Sequence, residues 1–273
     1  MTKTAIPTVR WIGSIDPSWN WNLLGAVFLV FLTVIAPAQT VVVDTLHATQ
    51  PWGQRTAYTF PSIRVVGEDA ISERINRTLM IDFLGEDLHV AKDPLSALWG
   101  EDTGNGMARI PLLEWSGVRT SAGVFTVQFT GEFCGAYCED FDQHFLFDVR
   151  TGMRLDPVGL FKTEDEAAVN AMIDQRWRKI IEHHVGSLEA AGDATIEAKR
   201  TIDLYRSCLD ERPVGKPYIE DLLLEPDGLQ FIFARCSSHV DRELDDLGAV
   251  AVYVFLYEIL DQLRPEAKDA FDW

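Results

Sequence analysis

The sequence predicts an α+β fold, a largely antiparallel sheet packed with two to four helices. Three observations predict it. Apolar and polar residues alternate with a period of two in several short runs, for example Val124-Phe-Thr-Val-Gln-Phe129. Long stretches between them carry apolar residues at helical spacing. The order is strand and helix, then strands, then helices, then strands, without a regular strand–helix–strand alternation.

The elements follow in order. Residues 39–54 read as a flexible lead-in ending at Pro51-Trp52-Gly53. Residues 55–66 read as extended chain, with Pro61 marking an edge or a bulge. Glu68 to Leu84 reads as a helix, because Ile71, Ile75, Leu79 and Phe83 fall at four-residue steps and Gly85 suits its end. Asn76-Arg77-Thr78 matches a glycosylation sequon, discounted because it falls inside that helix. Residues 85–109 are irregular. Ile110 to Arg119 and Val124 to Phe133 read as strands joined by Thr120-Ser-Ala-Gly123, and Gln143 to Val149 as the next strand. Thr163 and Glu166 form a capping-box pattern for a helix to about His184, broken near Gly186 and Gly192. Thr195 to Cys208 is a second helix. Tyr218 to Leu224 and Leu229 to Arg235 form a hairpin around Pro226-Asp-Gly228. Cys236 to Asp246 is a polar, acidic loop. Ala249 to Phe255 is an apolar strand, Tyr257 to Leu263 a short helix, and 264–273 a frayed tail.

Composition narrows the partners. The net charge is −18, and the 235 residues after position 38 carry 22 basic against 41 acidic groups. A field of that sign repels phosphate backbones, so nucleic acid is excluded as an expected partner. Cationic partners are favoured. Leu23 to Ile35 is the one long apolar run, preceded by Lys3 and Arg10 and followed by Ala36-Pro-Ala38. About 13 apolar residues suit the core of a signal peptide. Residues 1–38 are therefore expected to be a signal peptide or an uncleaved N-terminal membrane anchor, and either exports the remainder to the periplasm or beyond. All four cysteines lie beyond this leader. An even number in an oxidising compartment implies two disulfides, for which Cys134–Cys138 and Cys208–Cys236 are the favoured pairing of three. The spacing of the four cysteines does not suit zinc.

The chain from about 55 to 263 resembles a known family through the order of its motifs. Phe60-Pro-Ser-Ile63 precedes a helix containing Ile75-Asn76, then a strand pair around a Gly135-Ala-Tyr137 loop, Phe147-Asp-Val-Arg-Thr-Gly152, Leu155-Asp-Pro-Val-Gly-Leu-Phe161, and Pro226-Asp-Gly-Leu-Gln-Phe231. This order is similar to that of the extracytoplasmic domain of the RsiV anti-sigma factor, and of the related domain found with PdaC-type peptidoglycan deacetylases. The resemblance implies an exported α+β domain that recognises a ligand, which in the anti-sigma factor is lysozyme. The expectation is a non-catalytic domain that binds lysozyme-like cationic proteins or cell-wall components, with no cofactor or metal. The family loop often reads Gly-Gly-Ala-His-Pro. Here Cys134-Gly-Ala-Tyr-Cys138 replaces its His and Pro.

The candidate binding residues are Glu132, Gly135, Tyr137, Glu139, Asp140 and Asp142 around the cysteine loop, and Asp241 and Asp245 in the second acidic run. The competing reading is a cell-envelope hydrolase using Glu132, Asp140 or His144, which would need paired carboxylates at a set separation. His183 and His184 read as a helix C-terminus favouring positive charge. Ser237 and Ser238 beside His239 do not make a triad, because triads are assembled from distant segments.

Overall fold

A computed structural model describes residues 39–52, 57–87, 93–100, 109–135, 137–157, 159–192 and 195–273. The expected leader lies outside these residues. Among the described residues, nine strands form three antiparallel sheets. The first pairs β1 (Val41–Thr49) with β2 (Ala57–Val65). The second has the order β3 (Leu112–Arg119), β4 (Val124–Cys134), β5 (Cys138–Asp148), β6 (Arg154–Leu155). The third has the order β7 (Ile219–Glu225), β8 (Gly228–Phe233), β9 (Val250–Phe255). The helices are α1 (Asp69–Leu79), α2 (Glu166–Ala191), α3 (Ile196–Glu211), α4 (Leu256–Ile259) and α5 (Pro265–Phe271). The fold is α+β with antiparallel sheets, as the patterning predicts. It has five helices among the described residues rather than two to four.

The middle sheet has two buried faces. Phe125, Val127 and Phe129 of β4 lie beside Phe145 and Phe147 of β5 on one face. They pack into a core with Tyr58, Phe60 and Ile63 of β2 and Ile75 and Leu79 of α1. Val124 and Leu146, on the opposite face, join a second core. That core holds Val169, Ile173, Trp177 and Ile181 of α2 against Phe231, Phe233, Val252 and Val254. Trp177 stacks on Phe233 with ring centres 5.4 Å apart.

Side-chain hydrogen bonds tie α1 to β2. Asn76 accepts from the Ile63 amide at 2.8 Å and donates to the Ile63 carbonyl at 2.7 Å. Ser72 Oγ accepts from the Val65 amide at 2.9 Å. The sequon asparagine is thus a structural clamp. A π turn, Met80–Leu84, follows α1 and ends at Gly85, whose φ of +77° is the left-handed conformation that glycine favours. The turn places Phe83 on Phe129, with ring centres 4.1 Å apart.

Four expectations on segments need correction. The lead-in is not flexible throughout, because Val41–Thr49 pairs with β2 along its whole length, from Val41↔Val65 to Thr49↔Ala57. Its β-branched Val41-Val42-Val43, Thr45 and Thr49 suit a strand. The tail is not frayed, because α5 buries Ala267, Ala270 and Phe271. Helix α2 continues through Gly186 to Ala191 and is capped by Gly192 at φ +65°. A mid-helix glycine costs roughly 1 kcal/mol against alanine, and burial of Val185 and packing of Leu188 offset it. Asp165 occupies the N-cap of α2 and its side chain makes no capping bond, so the Thr163–Glu166 box does not form.

Two backbone groups on the outer edge of β9 are occupied by side chains. Arg176 donates to the Tyr253 carbonyl at 3.0 Å and pairs with Glu258, which accepts from the Phe255 amide at 3.0 Å. The Asp148 turn is also structural. Its carboxylate accepts from the Arg150 amide at 3.0 Å and from Thr151 Oγ1 at 2.8 Å.

The two disulfides are Cys134–Cys138 and Cys208–Cys236, spanning 4 and 28 residues. In the chain-entropy picture these loops are worth about 2 and about 3.5 kcal/mol. Replacing Cys208 and Cys236 together by Ser should therefore lower the denaturant midpoint more than replacing Cys134 and Cys138 together.

A Cβ on Gly123 would lie 2.2 Å from the Ala270 carbonyl oxygen, and Ser121 Oγ donates to that same oxygen at 3.1 Å. Gly123→Ala must push α5 off the β3–β4 turn. It is expected to cost about 1–3 kcal/mol in chemical denaturation.

Candidate functional site

The β4–β5 hairpin carries the candidate residues because its alternation sorts them onto two faces. Pairs directly across the strands share a face. On one face Glu132 sits opposite Asp140, Thr130 opposite Asp142, and Gln128 opposite His144. On the other, Phe133 sits opposite Glu139 and Gly131 opposite Phe141. The strands run up to Cys134↔Cys138, so the disulfide closes the hairpin across a register pair with Cα atoms 4.0 Å apart. Gly135 donates to the Tyr137 carbonyl at 2.9 Å, and Tyr137 is 66% exposed at the tip. The Cys134 amide donates to the Arg109 carbonyl at 2.7 Å, anchoring the tip to the segment before β3.

The first face is acidic. Neither Glu132 nor Asp140 has an ion-pair or hydrogen-bond partner on its side chain among the described residues. Asp142 accepts from Gln128 Nε2 at 3.0 Å. A carboxylate oxygen of Glu132 and the sulfurs of Cys134 and Cys138 all lie within 4.8 Å of one another, a spacing compatible with a metal. The disulfide commits both sulfurs, and the thiolate donors that zinc takes are absent while it is formed.

His144 ends the acidic face. Its backbone amide and its Nδ1 both meet Asp221 Oδ2, at 2.9 and 2.7 Å, and Asp221 Oδ1 accepts from the Leu222 amide at 2.8 Å. Asp221 thus joins β5 of the middle sheet to β7 of the third. Nε2 lies 3.9 Å from Asp142 Oδ1, so the second ring nitrogen faces a carboxylate rather than a nucleophile. Burial lowers the imidazole pKa, but the hydrogen bond and charge of Asp221 and the charge of Asp142 outweigh it, and the net shift is upward.

The second acidic run divides. Asp241, in a 3-10 turn at His239–Leu244, accepts from Ser238 Oγ at 2.8 Å at the surface. Asp245 is only 5% exposed and is not a solvent-facing partner residue. It accepts from Tyr205 at 2.9 Å and from the amides of Ser237 and Gly248 at 3.0 Å each. Burial raises its pKa, but these donors outweigh burial and hold it below the ordinary carboxylate value. The same network raises the Tyr205 pKa, chiefly through burial. His184 Nε2 meets Asp246 at 2.9 Å and its ring packs edge-on to Tyr205, so His184 belongs to this lock rather than to a helix end.

Arg242 connects the two acidic segments. It pairs with Glu139 at 2.8 Å. On the hairpin's second face lies a cleft of about 310 Å³, between the hairpin, the π turn and the segment before β3. Phe83, Phe133, Phe141, Arg109, Glu139 and Gln143 line it. Arg109, Asp221 and Arg242 are absent from the candidates read in sequence. Each lies far along the chain from its partner, so no local motif marks it.

No family model matches the sequence, and comparison with curated proteins finds no match. Two solved structures with a similar fold are crystal structures of DUF3298 family proteins, a family of domains of unknown function. The protein from Bacteroides fragilis shares 13% identity, covers 86% of this chain and 99% of its own, with a TM-score of 0.50. The protein from Pseudomonas aeruginosa shares 11% identity, covers 84% of this chain and 96% of its own, with a TM-score of 0.45. At such identities the likeness concerns the fold alone.

The raised His144 pKa fixes the sign of a pH effect. Its stabilising contribution is full below the unfolded value of about 6.5 and is lost as pH rises through the higher folded value. Between pH 6 and pH 9 the melting temperature of the parent should fall relative to that of His144→Gln. Parallel curves would show that the ion pair with Asp221 does not contribute.

Proposed function

We propose that the chain is an exported, non-catalytic binding domain of the RsiV/PdaC-associated type, and that its acidic hairpin face meets a cationic protein such as lysozyme. One observation carries this reading. Glu132 and Asp140 sit directly opposite each other with no cationic side chain between them, and like charges so placed destabilise a sheet. The hairpin holds this repulsion in place with a disulfide and β4's buried residues. A partner that brings positive charge relieves it, and complementary charge raises the rate of encounter. The net charge of −18 acts in the same direction.

Export is supported by the apolar run 23–35 with its preceding Lys3 and Arg10, and by two disulfides, which persist in oxidising compartments. The proposed location is periplasmic or extracellular, with residues 1–38 either removed or retained as an anchor to the inner membrane. No helix of the described residues is long and apolar enough to cross a membrane. A cell-wall component is the other ligand class of this reading.

Calorimetry against lysozyme and an unrelated small basic protein, at about 10 Å and about 3 Å Debye length, tests the proposal. Binding to lysozyme alone should survive high salt and weaken at least tenfold in the Glu132→Gln, Asp140→Asn double variant. Equal binding to both that salt abolishes, or no binding, overturns it.

A further inference from the structure

The cleft on the hairpin's second face has a composition unlike the acidic face. Two of its four charged groups are paired, whereas Arg109 and Asp140 have no ion-pair partner among the described residues. Asp82 pairs with Arg154 at 2.6 Å and Glu139 with Arg242 at 2.8 Å. Arg109 has no carboxylate partner among the described residues. Its guanidinium lies over the Phe133 ring, 5.3 Å from the centre. Gln143, also in the lining, makes no side-chain hydrogen bond among the described residues and is exposed. Phe133 remains 40% exposed although aromatic burial is favourable.

These groups select a ligand chemistry by elimination. A cation meets the unpaired Arg109 guanidinium, and of the acids in the lining only Asp140 is left without a partner among the described residues. An anion meets Arg109 but must approach a chain of net charge −18. A neutral ligand with apolar faces and a polar rim meets neither obstacle. Aromatic rings cover its faces, while the planar donor fork of Arg109 and the amide of Gln143 serve adjacent hydroxyl or amide groups. The volume of about 310 Å³ is at the lower end of the range for small-molecule sites, about 300–1,000 Å³.

We propose that this cleft binds a neutral glycan, with a sugar ring against Phe133 and Phe141 and its rim groups on Arg109 and Gln143. The site is built before the ligand arrives. Phe83 is fixed by its stack on Phe129, the Arg109 backbone is held at both its amide and its carbonyl, and the disulfide closes the hairpin that carries Phe133. Such preorganisation lowers the ordering cost of binding. The π turn supplies the remaining wall with Asp82, Phe83 and Leu84, and single π turns within helices are frequent at functional sites. This site shares Asp140 with the acidic face, but its aromatic wall, Arg109 and Gln143 do not belong to that face, and it does not depend on a protein partner.

Titration calorimetry with tetra-N-acetylchitotetraose and with cellotetraose tests the assignment. At least one should bind, with an affinity that changes less than twofold between low and high salt. Preference for the first identifies an N-acetylated glycan, and equal binding identifies recognition of the ring and hydroxyls alone. Phe133→Ala and Gln143→Ala should each weaken binding at least fivefold, and Arg109→Gln at least tenfold, with melting temperatures near that of the parent. Tyr257→Ala, on a distant exposed aromatic, should leave binding unchanged. No binding of either sugar at millimolar concentration, or binding that the three cleft variants leave unaltered, overturns the proposal. Sugar binding lost with lysozyme binding intact removes the cleft alone, and the converse removes only the cationic partner.

Discussion

The fold depends on a single constraint, that the inner halves of β4 and β5 are buried on both faces. Phe125, Val127 and Phe129 point into one core while Val124 points into the other, and Leu146 and Phe147 divide in the same way. A slip of one residue in pairing would exchange every side chain between the cores. Phe145 and Phe147 would then face the pocket shaped for Leu146. The register is therefore over-determined at the base of the hairpin. The tip inherits it, because the same alternation continues to Cys134 and Cys138 and sorts acidic groups from aromatic ones. The chemistry at the tip is set by packing about five residues below it.

Much of this was legible in the sequence because it is local. Period-two alternation marked β4 and β5, the spacing of Ile71, Ile75 and Leu79 marked α1, and Pro226-Asp-Gly228 marked the last hairpin. The misses share a physical cause. Strand β1 is recognisable only against its partner β2, since an isolated run of Val and Thr beside Pro51 reads equally as lead-in. Helix α5 is short, and its stability comes from Ala270 meeting Gly123 and Ser121, about 150 positions earlier in the chain. Helix α2 continues through Gly186 because tertiary burial of Val185 outweighs local propensity.

The candidate site was legible in composition but not in arrangement. The sequence shows two acidic runs and treats them alike. In the structure one lies at the surface, while Asp245 in the other is enclosed by hydroxyl and amide donors beside the Cys208–Cys236 disulfide. What separates them is the set of donors that the fold delivers, and Tyr205 comes from a helix 40 residues away. The same holds for His144, whose partner Asp221 lies 77 positions on. Residue types named the participants, and topology alone assigned their roles.

The capping of two β9 edge groups by Arg176 and Glu258 has a consequence beyond the single molecule. An open strand edge offers backbone groups to any neighbouring chain. Here the Tyr253 carbonyl and the Phe255 amide are occupied by side chains from α2 and α4. Two of the groups that an incoming strand would pair with are thus already taken, which hinders growth along that side independently of surface charge.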